Sequence, residues 1–282
     1  MTAVLTKAFA FVAIIAMGYI LKRVGFFHAK DFYLISNIVI KITLPAAIVS
    51  NFSKITMDYS LLAMCVIGLL CNFVTIAAGY GINIRKSKET RAFAMLNMSG
   101  YNIGNFTMPF VQSFLSPVGF AATSLFDAGN SIMCTGMTFT LAGMVVGEDE
   151  KPSFSGMTKK LFSSIPFDAY IVMTILSILK LQLPAVMISF ADTAGGANAF
   201  LALLMLGIGF EVHMDREKIA QIVQILVMRY GIAVLMAVAF TSLRPRTGSA
   251  PDSGNCVPGT GGFHRSGIYR GFKWRCRDGE RG

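Results

Sequence analysis

Eight runs of apolar residues, each near the length a lipid bilayer demands of a helix, occupy the first 243 positions of the chain. They fall at about Val4–Leu21, Phe32–Asn51, Leu61–Gly81, Arg91–Phe114, Pro117–Val146, Phe167–Leu181, Pro184–Phe210 and Ile222–Leu243. The pattern predicts an all-α polytopic membrane protein. The fifth and seventh runs are longer than a single crossing needs, which predicts a tilted helix or an added interfacial turn. In the first run the positive residues Lys22, Arg23 and Lys30 follow the apolar stretch and only Lys7 precedes its centre. A cleaved signal peptide has the opposite order, so this run reads as a retained first helix.

Composition strengthens that reading. Charged residues make up 14% of the chain and mean hydropathy is +0.60, whereas a soluble domain carries about 25% charged residues. Loop charge then orients the helices. The first, third, fifth and seventh loops hold twelve Lys or Arg: Lys22, Arg23, Lys30; Arg85, Lys86, Lys88, Arg91; Lys151, Lys159, Lys160; Arg216, Lys218. The even loops hold only Lys54 and Lys180. By the positive-inside rule the odd loops are expected in the cytoplasm, with the N-terminus outside a multi-pass protein of the cell inner (plasma) membrane. Half of the +10 net charge comes from the last 39 residues, and no basic face for nucleic acid is visible. Cys65, Cys71 and Cys134 lie inside apolar runs and Cys256 and Cys276 in the tail, with no metal-ligand spacing. His28, His213 and His264 show none either. No metal or cofactor is expected.

The candidate chemistry concentrates in the fourth run, AMLNMSGYNIGNFTMPFVQSF. Asn97, Tyr101, Asn102, Gly104, Asn105 and Pro109 crowd a segment that should cross hydrocarbon. Pro109 lacks an N–H and is expected to break the ladder, and irregular backbone at membrane depth survives only inside protein or beside a cavity. The amides offer donors and acceptors to the freed backbone or to a solute. Packing of Gly100 and Gly104 as a small-x-x-x-small pair is the plainer alternative. In the fifth run, Asp127 and Asn130 share a helical face. A lone intramembrane carboxylate is a functional candidate by default, here for a coupling proton; its structural alternative is a pairing with Lys41 or Arg229. Asp192, Gly195, Gly196 and Asn198 in the seventh run read as packing residues.

Ile35–Asp58 and Ile188–Asp215 share a pattern, an apolar helix closing on a Phe-containing turn before Met-Asp. If they correspond, the repeating unit is five helices, and an odd count inverts the second copy.

The stretch SGYNIGNFTMPFVQSFLSPVGFAATSLFDAGNSI resembles the auxin efflux carrier family, which includes plant PIN-type carriers and bacterial malonate or related organic-acid permeases. GYILKRVGFF near the start and LPAAIVSNF around Pro45 are similar to the family too, and the likeness runs from about residue 5 to 243. The resemblance implies a five-helix inverted-repeat transporter of ten helices, with a solute site where a broken fourth helix crosses a broken ninth. It implies a permease for a small organic-acid solute such as malonate, driven by protons or membrane potential in the lipid bilayer, with no cofactor and with a homodimer left open. Asn102, Gly104, Asn105 and Pro109 carry the crossover role.

On this plan residues 1–146 form the first repeat, 147–166 a cytoplasmic loop, and 167–243 three helices of an incomplete second repeat. Residues 244–282 then depart: nine glycines, seven arginines and no apolar run. This basic tail is expected to be disordered. A frameshift accounts for so abrupt a change better than a lipid-binding tail does; resequencing the codons for residues 242–282 decides between them. With a frameshift, half of the crossover is missing and the 282-residue polypeptide is expected to be unstable or transport-inactive. Three other classes remain: a sodium-coupled carrier, a membrane-embedded sensor or scaffold, and an intramembrane protease. They lack, in turn, coordinating carboxylates at the break, an output domain, and a catalytic carboxylate pair in a recognisable motif.

Overall fold

A computed structural model describes residues 2–56, 58–147, 154–210 and 216–242. The tail beyond residue 242 and the Met-Asp end of the second repeat pattern lie outside them. The described elements are all helical: α1 Thr2–Arg23, α2 Asp31–Ile38, α3 Leu44–Phe52, α4 Tyr59–Ile82, α5 Lys88–Met98, α6 Met108–Phe114, α7 Pro117–Ile132, α8 Thr138–Val146, α9 Phe154–Leu161, α10 Ile165–Ile178, α11 Ala185–Gly196, α12 Asn198–Gly209 and α13 Arg216–Ser242. The chain divides into two units, Met1–Ile232 and Ala233–Gly282; the packing and the site described below belong to the first.

All eight apolar runs are helical, but they do not all make unbroken crossings. Among the described residues, five helices are long and apolar enough to span: Val4–Arg23, Asp31–Phe52, Tyr59–Ile82, Pro117–Val146 and Ala185–Gly209. The sixth run belongs to a bent pair, Ser155–Leu161 with Ile165–Ile178, at 78°, and the eighth has a shorter apolar core, Val223–Ala239. The fourth is divided into α5 and α6. The outward faces stay apolar, with Phe9, Val186 and Phe190 exposed, as lipid contact requires.

Two of the spans are widened rather than broken by proline. Proline offers no N–H to the carbonyl four residues back. A five-residue π-turn precedes Pro45 at Val39–Thr43, where the Leu44 N–H reaches back to the Val39 carbonyl. The same arrangement precedes Pro109 at Ile103–Thr107, where the Met108 N–H reaches the Ile103 carbonyl. Shifting bonds to five-residue spacing re-satisfies donors around the missing one. A third π-turn, Met133–Met137, joins α7 to α8.

Three packed clusters hold the helices together. Leu44, Ile48 and Phe52 of α3 meet Met108 of α6, Phe120 and Leu125 of α7, and Tyr170 and Met173 of α10. Helices α2 and α12 share a second cluster, joined by Ile14 and Leu21 of α1, and Ile76, Met95 and Met133 form a third. Glycines set the closest crossings. A Cβ on Gly207 would strike the Ile15 carbonyl of α1, and one on Gly18 would lie 3.1 Å from the Gly207 Cα. At the α3–α11 contact, Ser50 and Lys54 both donate to Asp192, Lys54 at 2.8 Å. The Lys54–Asp192 pair is nearly half exposed, at 47% and 44%, so Lys54→Gln is expected to shift unfolding by no more than about 1 kcal/mol; thermal unfolding in detergent checks it.

Candidate functional site

Helix α5 ends at Met98, and the backbone leaves helical geometry over residues 99–102. Gly100 takes φ +74°, a left-handed conformation that a Cβ disfavours. The break therefore lies at Ser99–Asn102, about two turns ahead of Pro109. Pro109 sits in the first turn of α6, and its effect is the π-turn described above. The ladder is thus disturbed ahead of Pro109, as its missing N–H predicts, while the interruption of the helix lies earlier, at Gly100 and the side chains that hold it.

Those side chains come from neighbouring helices. Peptide groups freed at membrane depth need partners inside the protein. Asn72 of α4 accepts from the Gly100 N–H at 2.8 Å and from the Ser99 hydroxyl at 3.3 Å, and donates to Asn130 of α7 at 3.2 Å. Asn130 accepts from the Tyr101 N–H at 2.9 Å and donates to the Tyr101 carbonyl at 2.8 Å. One side-chain amide thus closes on both backbone groups of one residue. The same Asn130 amide nitrogen lies 3.0 Å from Asp127 Oδ1, and the Tyr170 hydroxyl of α10 donates to Asp127 Oδ2 at 3.1 Å. Ser99 also bonds Thr138 of α8 at 2.9 Å. Asn72 and Asn130 are almost fully buried, at 0% and 2% exposure.

Arg229 of α13 closes the other side of the break. Its Nη1 donates to the Asn97 carbonyl at 2.8 Å and its Nη2 to the Gly100 carbonyl, with the guanidinium 5.4 Å from the centre of the Tyr101 ring. A cation here complements the negative end of α5. The alternative pairing of Asp127 with Lys41 or Arg229 does not occur. Asp127 takes two neutral donors instead, and no Lys or Arg lies within ion-pair distance of it among the described residues.

The remaining candidate residues divide by position. The Asn97 side chain turns back to the Phe93 carbonyl of its own helix at 2.8 Å, so its backbone carbonyl, not its amide, meets the break. Asn102 is exposed and caps nothing with its side chain. A Cβ on Gly104 would lie 3.9 Å from Asp127 Oδ2 and 3.3 Å from Leu44, so the bare backbone of the π-turn passes beside the carboxylate. Asn105 Oδ1 is buried with no hydrogen-bond partner. A second polar chain links α6 to the α11–α12 junction: Gln112 donates to the Gly195 carbonyl at 2.8 Å, Asn198 to Gln112 at 3.3 Å and Thr43 to Asn198 at 3.0 Å.

Sequence reasoning missed Asn72, Thr138 and Tyr170. Asn72 had a signal, a lone amide within an apolar run. Thr138 and Tyr170 had none, since hydroxyls at those positions are unremarkable without their partners. Among the described residues are two cavities, neither walled by residues 99–102 of the break. One of about 410 Å³ lies between α5 and α13, touching Asn83, Lys86, Met98 and Met228. The other, of about 760 Å³, lies by the 53–59 and 178–183 turns. Neither includes Asn102 or Asn105 in its wall.

The profile of a family described as "Membrane transport protein" matches residues 3–246. The chain belongs to this family, the auxin efflux carriers. The match covers nearly the same stretch, 5–243, over which the resemblance is legible. Among curated proteins none matches the chain. The family is one of membrane transport proteins, and the several long apolar helices fit a multi-pass membrane protein.

Proposed function

We propose that the protein is a secondary transporter of a small organic anion, working in the cytoplasmic membrane with its N-terminus outside and without a bound cofactor. The observation that carries the reading is the break at Ser99–Asn102, kept irregular at membrane depth by amides from two other helices. Such a design costs buried polar groups, and a fold that only needed to span would use a continuous helix. Beyond the break, Asn105 carries a buried acceptor with no donor. An unmet acceptor costs about 1–3 kcal/mol, which a water or a protonated carboxyl of the solute recovers. The positive end of the helical segment that begins with the Ile103–Thr107 π-turn and continues into α6 favours an anionic group nearby. Substrate-binding roles fall to Tyr101, Asn102, Gly104 and Asn105, with Asn97, Pro109 and Asn130 shaping the backbone around them. The inverted-repeat plan of the fold belongs to the same proposal.

Calorimetric titration of malonate into the purified chain in lipid nanodiscs tests the reading. Saturable binding that weakens on Asn105→Ala is the expected result; saturable binding untouched by changes at Asn102 and Asn105 would move the solute elsewhere.

Asp127 is proposed as the proton carrier. It sits beside the π-turn backbone with only neutral donors around it, so loss or gain of a proton changes the charge next to the solute without breaking an ion pair. Malonate binding by the native chain is expected to take up protons, seen as an enthalpy that varies with the ionisation heat of the buffer. In Asp127→Asn that buffer dependence is expected to vanish while binding persists. An unchanged buffer dependence in the variant removes Asp127 from the coupling role.

A further inference from the structure

We infer that Arg229 is the group that reads the carboxylate of the solute, and that the cavity between α5 and α13 is its approach. The inference rests on the reading of the break as the solute site. Arg229 is a full positive charge within the eighth apolar run, and among the described residues no carboxylate pairs with it. What it does have are two carbonyls at the end of α5. A helix end supplies about half a negative charge, so about half of the guanidinium charge is left without compensation. A charge in that position calls for a counter-ion, and a transported anion is one that arrives and leaves.

The geometry suits the task. A guanidinium presents five N–H donors in a planar fork. Two of them go to backbone carbonyls, and the others suit a carboxylate, the arrangement in which arginine is strongest. The flat face of Tyr101 lies against the same guanidinium at 5.4 Å, fixing its plane. Tyr101 is also the residue whose backbone groups Asn130 clasps, so the charge and the break share one anchor.

The cavity supplies the route. Its wall runs from Asn83 and Lys86, in the positively charged third loop, to Met98 at the last turn of α5 and Met228 beside Arg229. Lys86 and Glu89 both line it, and the Glu89 carboxyl is held below the usual carboxylate range by hydrogen bonding to its own backbone and then to the Ser87 hydroxyl. With one lining charge of each sign the wall carries no net charge, and Arg229, the next residue of α13 after Met228, is the cation toward which an anion in the cavity moves.

The test is malonate titration of the full chain in nanodiscs at several sodium chloride concentrations, with Arg229→Gln, Arg229→Lys and Asn105→Ala alongside the native sequence. Gln keeps an amide donor for the α5 carbonyls but removes the charge. The expected result is an affinity about 10- to 100-fold weaker in Arg229→Gln, the range of a charge-assisted contact, with the native salt dependence flattened. Arg229→Lys keeps the salt dependence at an intermediate affinity. If both Arg229 variants lower the unfolding temperature and leave the salt slope and affinity unchanged, Arg229 is a helix cap only and the inference is overturned. Weakening in Asn105→Ala with Arg229→Gln native-like also overturns it while sparing the break as the solute site. Selective loss in Arg229→Gln with Asn105→Ala native-like keeps the anion reader and moves the solute off the break into the cavity. No malonate binding by the native chain overturns both.

Discussion

Valine at position 129 is expected to prevent the chain from folding, leaving no monodisperse protein on size-exclusion chromatography in detergent. Gly129 of α7 lies against α4 so closely that a Cβ would clash with the Cys65 carbonyl oxygen and stand 3.0 Å from the Leu69 nitrogen. Gly68 of α4 repeats the contact in reverse, against the Phe126 carbonyl. All of these are backbone atoms of helices, which cannot move aside singly. Without a hydrophobic drive between helices in lipid, close approach through small residues is itself the main attraction, so parting the two helices removes contact along the whole crossing. Overpacking in a core commonly costs about 1–3 kcal/mol; here the helices must separate and Asn72 and Asn130, 3.2 Å apart, must separate with them. Even Gly129→Ala is expected to lower the unfolding temperature by several degrees. Gly81→Ala is the control. No atom lies within 4 Å of its added Cβ, and in a helix that change is expected to stabilise by about 0.5–1 kcal/mol. Equal stability of Gly129→Ala and Gly81→Ala would show that the close crossing is not what holds α4 to α7.

The reach of the sequence follows from the same physics. Span positions were legible because lipid imposes one length and one polarity on every crossing, and the fifth run, Pro117–Val146, is found with the same bounds. The unusual segment was legible because three amides and two glycines have no place in a plain spanning helix. What could not be read was which residue makes the break. Proline is the conspicuous breaker, yet a π-turn absorbs Pro109 as another absorbs Pro45, while the interruption depends on Asn72 and Asn130, far away in sequence. Arg229 illustrates the limit: its position in an apolar run marked it as a partner for Asp127, but a carboxylate and a cation in one bundle attract only if their helices bring them together. Here α13 brings the guanidinium to carbonyls and α10 brings Tyr170 to the carboxylate.

Asn130→Ala is expected to cost more than any other single polar truncation in the molecule. The substitution leaves the Tyr101 N–H and carbonyl unpaired and takes a donor from Asp127. Interhelical hydrogen bonds in membranes average about 0.6 kcal/mol because the unfolded chain finds substitutes, whereas a buried group left unmet costs about 1–3 kcal/mol. The second figure governs here, since the Tyr101 N–H and carbonyl have no alternative partner once the helix is interrupted; a total of about 2–6 kcal/mol follows for the two freed groups, with Asp127 adding to it. Asn72→Ala removes the acceptor from the Gly100 N–H and the Asn72–Asn130 contact. Because both variants give up that shared contact and the same short loop, the double variant is expected to lose less than the sum of the singles. Denaturant unfolding of all four proteins in one detergent measures the difference. Strict additivity would mean that the two amides hold Gly100 and Tyr101 independently. A shortfall would mean that the break is one cooperative unit, so that a solute pulling on Tyr101 from the cavity side is felt at Asp127 through Asn130, which is the coupling a proton-driven carrier needs between its solute and its carboxylate.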